Sequence, residues 1–369
     1  MQKTAALTGA TGSAKLLEEY RKKNLEIFAA KPIKKSKYSS IARLDESLEK
    51  SNGNVKVKVL GAKLQSLREF TEKNQEMIGK ILSMEEAPKD QFEAFVNANF
   101  SDSFVITVSG KTNAEITLEA DEEACIKYFI IAEQNCEVQI MQALKGEAKL
   151  LCNCTLLVRE GARVTLATLH LNTADKFFHQ QSILEKDASF TNNASWFDGS
   201  YVRAKATAIL AGEGSTALDY SILFGKGKKH YDLNYVALHK TTNSKSHAVF
   251  KAALKDECTN VFDGMIRIKP KADGTNALLE CNSMILGEKA RSNQIPGLEI
   301  ETDEVKATHS ATVERIEDEQ LYYLQSRGIG KEDAKDIIVE SFLESVVFLL
   351  PEGVRKPIKE EIGKQLSGK

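Results

Sequence analysis

The chain carries a single tryptophan and six prolines, and no apolar run in it approaches the ~18 residues needed to cross a bilayer. No membrane-spanning helix is expected. An excess of one charge is missing too: Lys and Arg total 50 against 52 Asp and Glu, whereas a dedicated nucleic-acid binder shows a basic surplus. The opening residues, Met1-Gln2-Lys3-Thr4-Ala5-Ala6-Leu7, have no long apolar core and no cleavage signature, so they do not read as a secretory leader. A cytoplasmic chain is expected, and in that compartment six cysteines read as reduced thiols rather than a disulfide framework. At 369 residues the length does not limit the size of the core.

What is present is a change of periodicity. Up to about Ala98 the apolar residues fall near helical spacing, as in Leu16, Leu17, Tyr20, Leu25 and Phe28, and again in Leu64, Leu67, Phe70, Ile78 and Leu82. Between them, Lys31-Pro32-Ile33-Lys34-Lys35-Ser36-Lys37 reads as a solvated connector. From Phe104 the pattern becomes short alternations: Phe104-Val105-Ile106-Thr107-Val108, Ala114-Glu115-Ile116-Thr117-Leu118, Val138-Gln139-Ile140-Met141. Turn clusters at Glu160-Gly161, Lys186-Asp187 and Glu213-Gly214 lie about 26 residues apart, a spacing that fits coil-by-coil stacking. Further clusters stand at Asp256-Glu257 and Asp273-Gly274. Periodicity alone does not separate a β-helix from a sandwich. After Ser310 helical spacing returns: a helix from Asp318 stopping at Gly328, an amphipathic helix from Lys331 ended by Pro351, and a third from Glu352 to Leu366.

Few residues suggest chemistry on their own. Gly9-Ala10-Thr11-Gly12-Ser13-Ala14-Lys15 lacks a preceding apolar strand and the Gly-Lys-Ser/Thr order, so it is no phosphate loop, and the chain is not expected to be an ATPase. Cys152 and Cys154 share one face of a strand, but a metal site needs three or four ligands. Cys125, Cys136 and Cys258 are isolated, and His170, His179, His230, His239 and His247 carry no motif, so packing is their plain reading.

The segment 282–328 supplies the rest. Its pieces are Leu286-Gly287-Glu288, Pro296-Gly297-Leu298-Glu299-Ile300, Ala307-Thr308-His309-Ser310-Ala311-Thr312, Asp318-Glu319-Gln320-Leu321-Tyr322-Tyr323-Leu324 and Gln325-Ser326-Arg327-Gly328. In order and spacing they resemble the C-terminal signature of the SufB/SufD family of iron–sulfur cluster assembly scaffolds. Phe95-Val96-Asn97-Ala98-Asn99-Phe100, Phe250-Lys251-Ala252-Ala253 and Val261-Phe262-Asp263-Gly264 extend the likeness over about the last three quarters of the chain.

The resemblance implies a mainly β fold, a right-handed parallel β-helix between helical ends, with a helical region at 1–98, the β-helix at 99–312 and a helical docking region at 313–369. It points to His309 as a ligand of iron or of a transient cluster. Imidazole is a suitable iron ligand, although a lone histidine among small residues also reads as simple packing. Where SufB has a cysteine this chain has Ala290, and where SufB has a glutamate after the histidine it has Ser310, so the likeness is most to SufD. Cys281 is the weaker candidate ligand, since its strand resembles the SufB version. Gln320, Leu321, Tyr323, Arg327 and Phe342 fall where the family holds its ABC-type ATPase partner, SufC. Glu314 replaces a glycine common in the family and puts the local turn in doubt.

The expected role is a non-catalytic scaffold working with SufC and with either a SufB-like subunit or a second copy of itself. The alternative is a homodimeric scaffold that assembles the cluster by itself through Cys281 or another thiol. A more distant one is a β-helix carbohydrate-active enzyme, which would need a carboxylate cluster in a groove and is commonly exported. Whether a flavin binds is not legible in the residues.

Overall fold

The computed structural model describes residues 12–30, 53–89 and 91–367. The connector 31–37 and the start of the glycine-containing segment at 9–11 lie outside the described residues. The described residues begin with helix α1 (Gly12–Ala30), followed by a hairpin of β1 (Lys56–Leu60) and β2 (Lys63–Ser66), and helices α2 (Leu67–Lys73), α3 (Gln75–Met84) and α4 (Gln91–Asn99). From β3 (Asp102–Val108) to β18 (Val305–Arg315) the strands alternate between two sheets of nine, even numbers with β1 in one and odd numbers with β2 in the other. Among β3 to β18 every pairing is parallel. The result is a parallel β-solenoid of about eight turns. Helices α5 (Asp318–Ser326), α6 (Lys331–Val347) and α7 (Glu352–Ser367) complete the chain.

One coil is 26 residues long between Lys111 and Glu137, 27 between Asn192 and Asp219, and 30 between Asn282 and Thr312. The 26-residue spacing of the sequence is therefore a property of the early coils. One corner explains the turn clusters. Asn135, Gly161, Asp187, Gly214, Asn243 and Gly274 all have positive φ, between 53° and 72°, one per coil. The N–H of Asn243 donates to Asp273 O at 2.8 Å and that of Gly274 to Glu304 O at 2.7 Å, tying each corner to the next. Asn and Asp tolerate this left-handed conformation and glycine adopts it freely. Their alternation has a steric cause: a Cβ on Gly161, Gly214 or Gly274 would collide with the side-chain oxygen of Asn135, Asp187 or Asn243 in the coil before.

The lumen is filled by side chains, including Ile126, Tyr128, Cys152, Cys154, Phe250 and Leu279. Each outer face has its own cover. Helices α1 to α4 lie on the odd-numbered sheet, where Phe92 stacks on Phe177 at 5.5 Å. Helices α6 and α7 lie on the even-numbered sheet, with Val339, Leu343 and Ile358 against Ile222 and Val249. A buried ion pair anchors the first cover: Lys127 Nζ lies 2.8 Å from Glu85 Oε1, which also accepts from Thr155, while Tyr20 donates to Glu85 Oε2. Burial alone would raise the Glu85 pKa, but Lys127 and these hydrogen bonds outweigh it and hold the carboxyl below its ordinary range.

The hairpin departs from the helical reading of residues 1–98. Leu64, counted in a helical series, lies in β2. Strands β1 and β2 pair antiparallel with β4 (Lys111–Ala120) and β3 and close the first coil. Lys56, Lys58 and Lys63 stand exposed along them, the usual guard of a sheet edge. No helix among the described residues is long and apolar enough to cross a membrane.

Candidate functional site

At the other end no such cap occurs among the described residues. Strands β17 (Arg291–Ile300) and β18 are the last of their sheets, and most of their residues are exposed or half-buried. Register assigns the faces. β18 pairs with β16 (Thr275–Ile285) so that Ala307 follows Ala277, His309 follows Leu279 and Ala311 follows Cys281. Ala277, Leu279 and Cys281 belong to the lumen core. In-register parallel neighbours point to the same side, so His309 stands in the lumen column, one coil beyond the last covered residue, and is exposed there. Leu298, Ile300 and Val313 are exposed on the same two strands. Ser283 of β16 and Ser292 of β17 meet through their hydroxyls at 2.9 Å, and Gln294 of β17 also donates to Ser283, linking the two sheets.

Cys281 is fully buried under Ala311, and burial, helped by Glu280, pushes its thiol up to about 12. Ala290 is buried in the same core. All six cysteines are buried and unpaired; Cys152 and Cys154 share the lumen face. Burial pushes Cys125, Cys154 and Cys258 up to about 12 as well. A neutral buried thiol is a poor nucleophile and a poor metal ligand. No group of three or more His, Cys, Asp or Glu suited to a metal ion occurs among the described residues.

The residues expected to hold a partner divide in two. Helix α5 has no buried residue: Gln320 and Tyr323 are exposed, Leu321 is half-buried, and the exposed Arg327 guanidinium lies 5.3 Å from the Tyr323 ring centroid. Gly328, at φ 86°, reverses the chain after it. Phe342 instead sits half-buried at the seam between α6 and the solenoid, with Lys251 Nζ 4.5 Å above its ring. Tyr322, 75% exposed, stands in the signature but is not among the contacts expected from the sequence, because exposure cannot be read from composition. The hydrogen bond of 2.9 Å between His247 Nε2 and Glu280 Oε1 on the outer face is likewise not among them.

The solenoid is filled by side chains, carries an exposed histidine on its last even-numbered strand, and is followed by an exposed helix, α5. The chain belongs to the SufB/SufD family; the sequence model of the SUF system FeS cluster assembly SufBD core domain matches residues 116–342. It is 27% identical over 278 residues to an iron–sulfur cluster assembly SufBD family protein of Mycobacterium leprae (strain TN), covering 70% of this chain and 71% of that one. It is 32% identical over 193 residues to the iron–sulfur cluster assembly protein SufD of Escherichia coli (strain K12), covering 52% of this chain and 46% of that one. It is 30% identical over 240 residues to the iron–sulfur cluster assembly protein SufB of Bacillus subtilis (strain 168), covering 63% of this chain and 49% of that one. The matches thus span about half the length of the latter two relatives.

Proposed function

We propose that this chain is a SufD-like scaffold subunit of a cytoplasmic iron–sulfur cluster assembly complex, with no catalytic activity of its own. The observation that carries the reading is His309, an exposed imidazole at the lumen mouth of a chain whose cysteines are all buried. One imidazole holds iron weakly, and a thiolate beside it changes that. The thiolate then comes from the chain that pairs with the β17–β18 edge, a SufB-like subunit in the preferred reading and a second copy in the alternative. That edge supports the pairing: the stretch Ala307–Val313 carries none of the lysines that guard the opposite end. Ala290 and Ser310 favour the SufD-like role, and the burial of Cys281 counts against this chain as its own thiolate donor. The cluster is cargo, assembled and passed on.

Helix α5 is the proposed seat of an ABC-type ATPase of the SufC kind, with Gln320, Leu321, Tyr323 and Arg327 as contacts and Phe342 rooting the arm on the solenoid. The region 313–369 is then the docking arm, 99–312 the rigid body and 1–98 its cover. Closure of two ATPase subunits on nucleotide would pull on two such arms, and the stiff solenoid would carry the movement to the paired edges. Co-expression with SufB-like and SufC-like proteins tests the arrangement. A complex containing both is expected, and Leu298→Glu with Val313→Glu should release the SufB-like chain while the SufC-like ATPase stays bound. An unchanged complex in that folded variant would rule out the edge as the pairing surface.

A further inference from the structure

A second feature lies away from the mouth. A cavity of about 40 Å³ sits in the lumen, with Asn192, Asp219 and Ser221 of the even-numbered sheet on one side and Gln180 and Tyr235 of the odd-numbered sheet on the other. Asp219 is 6% exposed and lies in the same column as His309, separated from it by Ala248 and Leu279. The stacked rings of Phe250 and Phe262, 4.1 Å apart, also line the cavity.

Both Asp219 oxygens accept hydrogen bonds: Ser221 Oγ donates to Oδ1 at 2.5 Å and Asn192 Nδ2 to Oδ2 at 2.6 Å. Gln180 Nε2 in turn donates to Asn192 Oδ1 at 3.1 Å, which orients the amide. Donors on both oxygens favour the ionised carboxylate, against burial, which pushes its pKa up to about 6. Yet no Lys, Arg or His forms an ion pair with it among the described residues. Lys205 contributes to the cavity wall, but its amine reaches outward to Glu93 at 2.6 Å. Tyr235 is 5% exposed, and its hydroxyl has no hydrogen-bond partner among the described residues. A buried charge is normally paired. Here one negative charge and one unpartnered hydroxyl face a space with room for at least one water-sized particle, which needs ~10–15 Å³ on this measure.

We propose that this cavity is a binding site for a monovalent cation of the sodium or potassium class, held between Asp219 and Tyr235 so that it ties the two sheets together across the lumen. The donors are all hard oxygens, which suits such a cation and not a soft transition metal. A single carboxylate balances one charge and leaves a divalent ion uncompensated. The site is independent of the partner reading above, because it involves no residue of the mouth or the arm.

Two measurements on the full chain test it. The first is thermal and urea unfolding at one ionic strength in sodium, potassium or tetramethylammonium chloride, the last ion being too large for the cavity. A ligand that binds only the folded state should raise the folded-to-unfolded ratio about tenfold for each tenfold rise in cation above its dissociation constant. That dependence should vanish in Asp219→Asn and weaken in Tyr235→Phe. The second is anomalous diffraction from crystals soaked in thallium(I) acetate, with a peak expected in the cavity of the unsubstituted chain. Equal stability in all three salts together with no thallium peak overturns the proposal, in favour of an ordered water or a protonated Asp219. Should Asp219→Asn fail to fold, Tyr235→Phe and the thallium experiment still decide.

Discussion

Leu279 and His309 occupy consecutive positions in one lumen column, yet the first is fully buried and the second exposed. The difference is one coil. In that column each earlier residue is covered by the next strand of its sheet, and among the described residues nothing pairs beyond β18. A histidine that would be a core residue anywhere else in the solenoid is thereby presented at its end.

The corner ladder is a steric pair as well as a conformational one. Gly274→Ala should cost about 1–2 kcal/mol, from the left-handed backbone and from the contact with Asn243. Asn243→Gly in the same chain should relieve the contact but not the backbone term, so the two changes combine non-additively. Urea unfolding of the two single variants and the double variant measures this.

Lys127→Met should cost about 3–5 kcal/mol, because it leaves Glu85 buried and unpaired. The pH dependence has a definite sign. Glu85 is held below its ordinary value of 4.5, so its contribution is present above that pH and is lost as pH falls through the folded-state value. Acid unfolding of the parent chain should therefore begin with the N-terminal helices. Hydrogen exchange at pH 7 and at pH values stepped downward from 4.5 would show α1, α3 and α4 losing protection before the coils do.

The thiols are expected to be silent. With all six buried and four of them pushed up to about 12, an aromatic disulfide reagent should titrate fewer than one thiol per native chain within minutes. In denaturant it should titrate all six. Rapid labelling of Cys281 in the native chain would revive the self-sufficient, homodimeric reading.

Tyr323→Ala with Arg327→Ala should leave stability within about 0.5 kcal/mol, since both side chains are exposed. It should weaken ATPase-subunit binding by several kcal/mol if these are the anchors. Calorimetric titration of the folded double variant reads both effects, and undiminished affinity would move the docking surface elsewhere.

The coils were legible in the sequence where backbone chemistry forces the residue type. Gly161, Asp187 and Gly214 had to be glycine or Asx because the corner is left-handed, and their spacing announced the stack. The hairpin was missed although Val57 and Val59 alternate with lysines, because a four- or five-residue strand is too short to outweigh the helical spacing around it. Phe342 falls in the segment that the resemblance links with partner docking, but its seat against Lys251 depends on how α6 packs, which no local pattern encodes. The exposure of His309 and the burial of Cys281 are likewise properties of register. Two neighbouring strands must be aligned before either can be seen.

The central claim is that His309 at the mouth is a ligand for the cargo, completed by another chain. Replacing it with Ala should leave folding and assembly with the SufB-like and SufC-like subunits nearly intact, because the side chain is exposed and packs little. Cluster formation on the reconstituted complex, followed by visible absorption and Mössbauer spectroscopy with iron and a sulfur donor, should be abolished or sharply reduced. Clusters formed at the unsubstituted yield with unchanged spectra would contradict the account.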